Sequence, residues 1–148
     1  MKRLLKNLRS LYLRYENRHM DYVTDTHGLI WYLTEDKRLG KNAFLVFSKA
    51  DKGDAIVIVP TIVLAEIIYI CERKRKDLEI KSIVDKIKNS TNYLPYSLNM
   101  DIIDKVITLK EISDMHDRII IAISLISGAT LISKDEEIIK SKIVRTIW

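Results

Sequence analysis

The chain has 148 residues, a single-domain length that buries about two-thirds of its unfolded surface without covalent staples. Its single cysteine, Cys71, sits in an apolar stretch and reads as a small core residue, so a disulfide framework and a thiolate metal site are both excluded and a reducing compartment fits. The formal net charge of +5 suggests nucleic acid until it is located: residues 1–19 hold six Lys/Arg and one acid (Glu16), leaving nineteen of each sign in the neutral remainder.

Residues 1–19 place Leu4, Leu5, Leu8, Leu11 and Tyr15 on one stripe of a basic helix, which asks for a partner surface. No apolar run nears the ~18 residues of a membrane span, and Lys and Arg interrupt this segment too often for a signal peptide. A soluble, cytoplasmic protein with no membrane partner is expected. "MDYVTDTHGLIWYL", from Met20, is a natural domain start, so 1–19 is expected to be an N-terminal extension, either an arm or an upstream start, and 20–148 the main domain.

From Met20 onward, short β-branched runs alternate with helical patterns. "YVTD" (22–25) reads as a strand, followed by helices over 27–34 and 41–51, and "AIVIVP" (55–60) as a second strand. Helix 61–74 ends in "ERKRK" (72–76), whose cations complement a C-terminal dipole, and helix 79–89 leads to the strand "TNYLPYS" (91–97). Pro95 lacks the amide proton of a central strand and puts that strand at an edge. Asn99 is an N-cap for helix 99–110 and Gly128 a C-cap for helix 115–127; then come "GATLIS" (128–133), helix 135–141 and "KIVRTIW" (142–148). Such alternation implies an α/β fold, a mostly parallel sheet of about five strands with helices on both faces. None of the four glycines lies in a G-x-G-x-x-G turn, which argues against dinucleotide binding.

In an open parallel sheet, function gathers beyond the C-terminal strand ends. Asp25 closes the first strand, Glu66 lies one and a half turns into the helix after the second, Asp117 opens the helix "MHDRIIIAIS", and Asp135 follows the fourth strand in "LISKD". Each alone has a plain explanation as a cap, a dipole-complementing acid or a solvated face. Glu66 resists it: Ile62, Val63, Leu64, Ala65, Ile67 and Ile68 surround it, so the helix is expected to be buried all round, and a buried Glu needs compensation. Carboxylates sharing one pocket repel by about 4 kcal/mol per pair near 4 Å at an effective dielectric near 20. A dense cation removes that cost, and oxygen-only donors suit Mg²⁺ or Mn²⁺ better than Zn²⁺.

Taken in order, "VTDTHGLIW", "TIVLAEI", "HDRIIIAIS" and "LISKDEEI" resemble the PIN domain, specifically the VapC toxin ribonucleases of VapBC toxin–antitoxin modules, over about 20–148. The resemblance implies a PIN-like three-layer fold with Asp25, Glu66, Asp117 and Asp135 as a catalytic acidic quartet holding Mg²⁺ or Mn²⁺. Ser133 stands where the family shows Ser or Thr two residues before the last acid. Thr26, His27, His116, Arg118 and Ser133 are the supporting or substrate-binding candidates, with Asp114 a solvent-facing neighbour of Asp117. Hydrolysis of structured RNA such as tRNA or rRNA, leaving 5′-phosphate and 3′-hydroxyl ends, is implied, as are a cognate antitoxin and a homodimer. The basic segment 1–19 departs from the family pattern. The rival readings are a receiver-like signalling domain, which also gathers acids at parallel strand ends, and a non-catalytic RNA-binding PIN relative.

Overall fold

The computed structural model describes residue 5, residues 21–75 and residues 77–148, so the expectation for 1–19 as an arm lies outside the described residues. Five strands, β1 (Asp21–Thr24), β2 (Ile56–Pro60), β3 (Tyr93–Tyr96), β4 (Thr130–Ile132) and β5 (Thr146–Ile147), form one sheet in the order β3-β2-β1-β4-β5, parallel throughout. Seven helices connect them: α1 (Thr26–Leu33), α2 (Lys41–Lys52), α3 (Thr61–Arg73), α4 (Ile80–Asn89), α5 (Met100–Ile107), α6 (Met115–Ser127) and α7 (Glu136–Ser141). Right-handed crossovers put α1–α4 on one face and α5–α7 on the other, and the contacts agree: α1 packs on α3 and α3 on α4, while α5 packs on α6. Among the described residues no helix is long and apolar enough to cross a membrane.

This order also decides against one rival. A receiver domain has the flavodoxin-like order 2-1-3-4-5. Here the chain winds outward from β1 through β2 to β3, then returns across the sheet to place β4 on the other side of β1. The switch point therefore lies between β1 and β4, which pair Tyr22 with Thr130, Val23 with Leu131 and Thr24 with Ile132.

The core follows from the strand sequences. "IVIVP" is buried at every position because β2 is covered on both faces, and Val23, Leu131 and Ile132 continue that layer through β1 and β4. Helix α6 buries six consecutive residues, Ile119–Ser124, and so is a rigid element under the sheet. Pro95 lies in the edge strand β3, as its missing amide proton requires. Asn99 accepts from the Ile102 amide at 3.1 Å to start α5, and Gly128 takes the left-handed conformation (φ 65°) that ends α6. The last strand is shorter than expected, two residues rather than seven, since Lys142 at φ 55° closes α7 first.

Helix α3 departs from its sequence reading. Only Val63, Ile67 and Cys71 are buried, while Ala65, Ile68 and Tyr69 face solvent. Its apolar composition covers one side of the sheet and leaves an apolar outer face, so Glu66 is half-buried rather than enclosed. Of its basic end, Arg73 stands in the last turn and lies over the Tyr69 ring at 4.4 Å, Arg75 pairs with Asp77 at 3.0 Å, and Lys76 lies outside the described residues.

Candidate active site

A cleft of about 540 Å³ opens at the switch point, and all four sequence-selected acids line it, together with Thr26, His27, Asp114, His116, Ile120, Lys134 and Glu136. Asp25 follows β1 directly, where its amide donates to the Ile132 carbonyl across the sheet at 3.2 Å. Its carboxylate caps α1 by accepting from the Gly28 amide at 2.7 Å. A Cβ on Gly28 would lie 2.8 Å from that same Asp25 oxygen, so any other residue at 28 would make the carboxylate shift.

Thr26, also buried, turns its hydroxyl to Glu66 and donates at 2.6 Å. That bond joins the starts of α1 and α3 and supplies the partner that Glu66 needs. Ser133, buried beyond β4, accepts from the Asp135 amide at 3.2 Å, and its hydroxyl is close enough to Asp25 to favour the ionised carboxylate. One hydroxyl thus serves the acids that follow both switch-point strands. Asp135 caps α7 by accepting from the Ile138 amide at 3.0 Å.

Asp117 is placed by α6, in its first turn. Asp114 is the true N-cap, accepting from the Asp117 amide at 3.0 Å, so it is a structural residue as well as a half-exposed neighbour. His116 faces Asp114 at 3.9 Å and His27 tilts against Trp31 at 5.5 Å; both are exposed at the rim. Arg118 does not pair with the acids: its Nε donates to the Ile112 carbonyl and fixes the loop entering α6. Glu137 completes that loop's anchorage, accepting from the Ser113 amide and hydroxyl at 2.9 Å each, which holds the start of α6 against α7. Gly28, Lys134 and Glu137 were not singled out from sequence. The only signal for them was position, within three residues of a candidate acid in each case.

The electrostatics report the crowding. Burial pushes the Asp117 carboxyl up to about 7, with Asp114, Asp135, Asp25 and Glu66 adding repulsion in that order. Burial also raises Asp25, opposed by the Gly28 amide, the Ser133 hydroxyl and His27. Among the described residues no three His, Cys, Asp or Glu side chains close into a ready ligand set, so the acids ring the cleft without converging on a point. Their donor chemistry nevertheless fits a hard divalent cation: oxygen donors only, with burial first and neighbouring acids second raising one of them toward neutral pH.

A sequence model described as the PIN domain matches residues 22–143. Solved structures share the fold at low identity. VapBC2 from Rickettsia felis, crystallised with a DNA fragment from its promoter, aligns with TM-score 0.64 and 14% identity over 86% of this chain and 98% of that one. A toxin–antitoxin complex from Klebsiella pneumoniae gives 0.59 and 13%, over 86% and 96%. FitAcB from Neisseria gonorrhoeae gives 0.55 and 13%, also over 86% and 96%. No curated protein sequence matches significantly.

Proposed function

The chain belongs to the PIN-domain family, whose members are nucleases, and from that premise we propose a divalent-metal-dependent endoribonuclease, the VapC-type toxin of a toxin–antitoxin pair. The observation that carries this reading is the convergence of Asp25, Glu66, Asp117 and Asp135 on one cleft at the switch point of the sheet. A solvated-face role for each acid separately would not bring them together from four elements.

In this reading the four carboxylates hold Mg²⁺ or Mn²⁺. When bound, the ion supplies an activated water and neutralises charge on the scissile phosphate. The chain's own groups keep the donors in place. Thr26 fixes the Glu66 carboxylate, the Gly28 amide fixes Asp25, and the buried stretch of α6 fixes the depth of Asp117. Arg118 and Glu137 hold the entry loop of α6 so that Asp117 keeps its place on the cleft wall. His27 and His116, exposed at the rim, are placed to donate to substrate. RNA cut by in-line attack of water would leave 5′-phosphate and 3′-hydroxyl ends, with structured RNAs such as tRNA or rRNA as substrates.

The solved neighbours include toxin–antitoxin complexes, which supports a cognate antitoxin for this chain; in this reading it would occupy the acid cleft with a basic side chain. The apolar outer face of α3, with Ile68 and Tyr69 exposed, suits a homodimer or antitoxin contact. The deciding experiment compares RNA cleavage by purified protein in EDTA, Mg²⁺ and Mn²⁺, alongside Asp25→Asn. Cleavage that needs the ion and the acid supports the reading; cleavage indifferent to both refutes it.

A further inference from the structure

A cleft ringed by carboxylates repels the phosphates of any RNA that approaches it, so a cation at its mouth has a task that the acids cannot perform. Lys134 stands there, in the turn between β4 and α7. Its backbone is fixed from both sides: the Ser133 amide donates to the Ile147 carbonyl at 3.2 Å, and the Asp135 amide donates to the Ser133 hydroxyl, also at 3.2 Å. The side chain does not fold onto the acids. Its Nζ lies 4.5 Å from the centroid of the Trp31 ring and 6.0 Å from that of Trp148. Those two ring contacts are its described interactions, and no carboxylate among the described residues forms an ion pair with it.

The cradle beneath the lysine is built rather than incidental. Trp31 is buried and meets Trp148 edge-on at 5.6 Å. Trp148 in turn lies on Gly40, where a Cβ would come 2.4 Å from its ring, so the loop before α2 leaves room for it. The other cation on Trp31, Arg38, stands 4.6 Å from the ring but is committed to Asp36, which it binds twice, at 3.0 and 2.7 Å. Lys134 has no such acid. A ring face orients an ammonium without neutralising it, so the full charge and its donor protons remain available to an anion.

We propose that Lys134, held over Trp31 and Trp148, is a phosphate-binding residue that seats the RNA backbone beside the acid cleft. The inference rests on the ribonuclease reading above and adds the point at which the strand is gripped. As a positioning residue it contributes to binding and orientation and leaves the chemistry to the acids.

The test uses the full chain and a short single-stranded RNA, with binding followed in EDTA across a salt series and cleavage followed in Mn²⁺. Lys134→Met keeps the stem over the indoles and removes the charge; Lys134→Arg restores it. The expected result for Lys134→Met is binding ~5–10-fold weaker, with the slope of log affinity against log salt reduced by about 0.7, the value of one single-strand phosphate contact. KM should rise by a similar factor with kcat nearly unchanged, and Lys134→Arg should stay near the original protein. The rise in melting temperature that Mn²⁺ produces should persist in both variants. Lys134→Gln replaces the methionine variant if that protein shows no cooperative melting. Unchanged affinity and salt slope in the uncharged variant overturn the proposal whatever happens to cleavage. If the original protein binds RNA, the variant weakens it and neither cleaves, the phosphate site stands and the nuclease reading falls. If the original protein binds no RNA, both fall.

Discussion

Replacing Asp117 by Asn should stabilise the ion-free protein while removing its activity. Its carboxyl is displaced upward to about 7, so the folded protein resists ionising it. A displacement of that size corresponds to at most about 4 kcal/mol, and solvent screening of a half-exposed group reduces this to roughly 1.5 kcal/mol. Loss of a first-turn acid from α6 takes back about 0.5 kcal/mol of helix-dipole stabilisation, leaving about 1 kcal/mol, or ~3 °C in melting temperature for a domain of this size. The sign follows from linkage. Below about pH 4 Asp117 is protonated in both states and costs nothing; between about 4 and 7 only the unfolded chain releases the proton, and the fold is progressively penalised. The advantage of the Asn variant should therefore be absent near pH 4, grow through pH 7 and stay level above it.

Divalent ions should invert the comparison. An ion that binds only the folded chain stabilises it by about 2.7 kcal/mol at a hundredfold excess over its dissociation constant, so with saturating Mn²⁺ the original protein should melt above the variant. Thermal melts from pH 4 to 8, with EDTA and with Mn²⁺, measure both signs. A variant no more stable than the original at pH 8 in EDTA, or one whose advantage does not change with pH, would refute the crowded-acid account.

Gly28→Ala sets local helix propensity, a gain of up to about 1 kcal/mol, against a Cβ 2.8 Å from the Asp25 carboxylate. The fold should persist while ion-induced stabilisation and ion-dependent cleavage both fall, roughly tenfold or more, as a displaced ligand would require; full activity would show that Asp25 needs no such clearance. Away from the cleft, Tyr32 and Tyr93 both donate to Asp51, and Lys86 pairs with it at 3.4 Å. Burial and then that carboxylate raise Tyr32 to about 12 and also raise Tyr93, so the neutral phenols stabilise the fold below about pH 10 and the benefit is lost as pH climbs through 12. Asp51→Ala should cost about 2 kcal/mol in denaturant melts and bring phenol ionisation, read by ultraviolet absorbance, down toward pH 10. Residues 1–19 carry the formal charge excess, so deletion to Met20 should leave cleavage of a short RNA nearly unchanged and flatten the salt dependence of binding to longer RNA. Unaltered salt dependence would remove RNA from that segment's role.

How the sequence foretold the cleft bears on which parts of such a site are legible in a chain. Strand and helix periodicity located the described elements other than the short β5 to within a few residues, because two-sided burial leaves unbroken runs such as "AIVIVP" and because Asn99 and Gly128 mark helix ends by local chemistry alone. The acids were visible for the same reason, since each follows or opens an element whose direction is set by the parallel sheet. Glu66 was reached through a faulty premise: the apolar residues of α3 imply burial all round only if both sides are covered, and Ile68 and Tyr69 are not. Its actual partner, Thr26, lies forty residues earlier. The capping and pocket-lining readings of Asp25 and Asp135 also proved compatible rather than rival. One carboxylate oxygen accepts from a first-turn amide while the side chain lines the cleft, so capping is the means by which the sequence fixes a carboxylate at the switch point. Lys134 was illegible for the opposite reason. Nothing within its own neighbourhood distinguishes it from a solvated lysine; its orientation is set by indoles at 31 and 148 and by the missing side chain at 40, positions joined only once the sheet has closed.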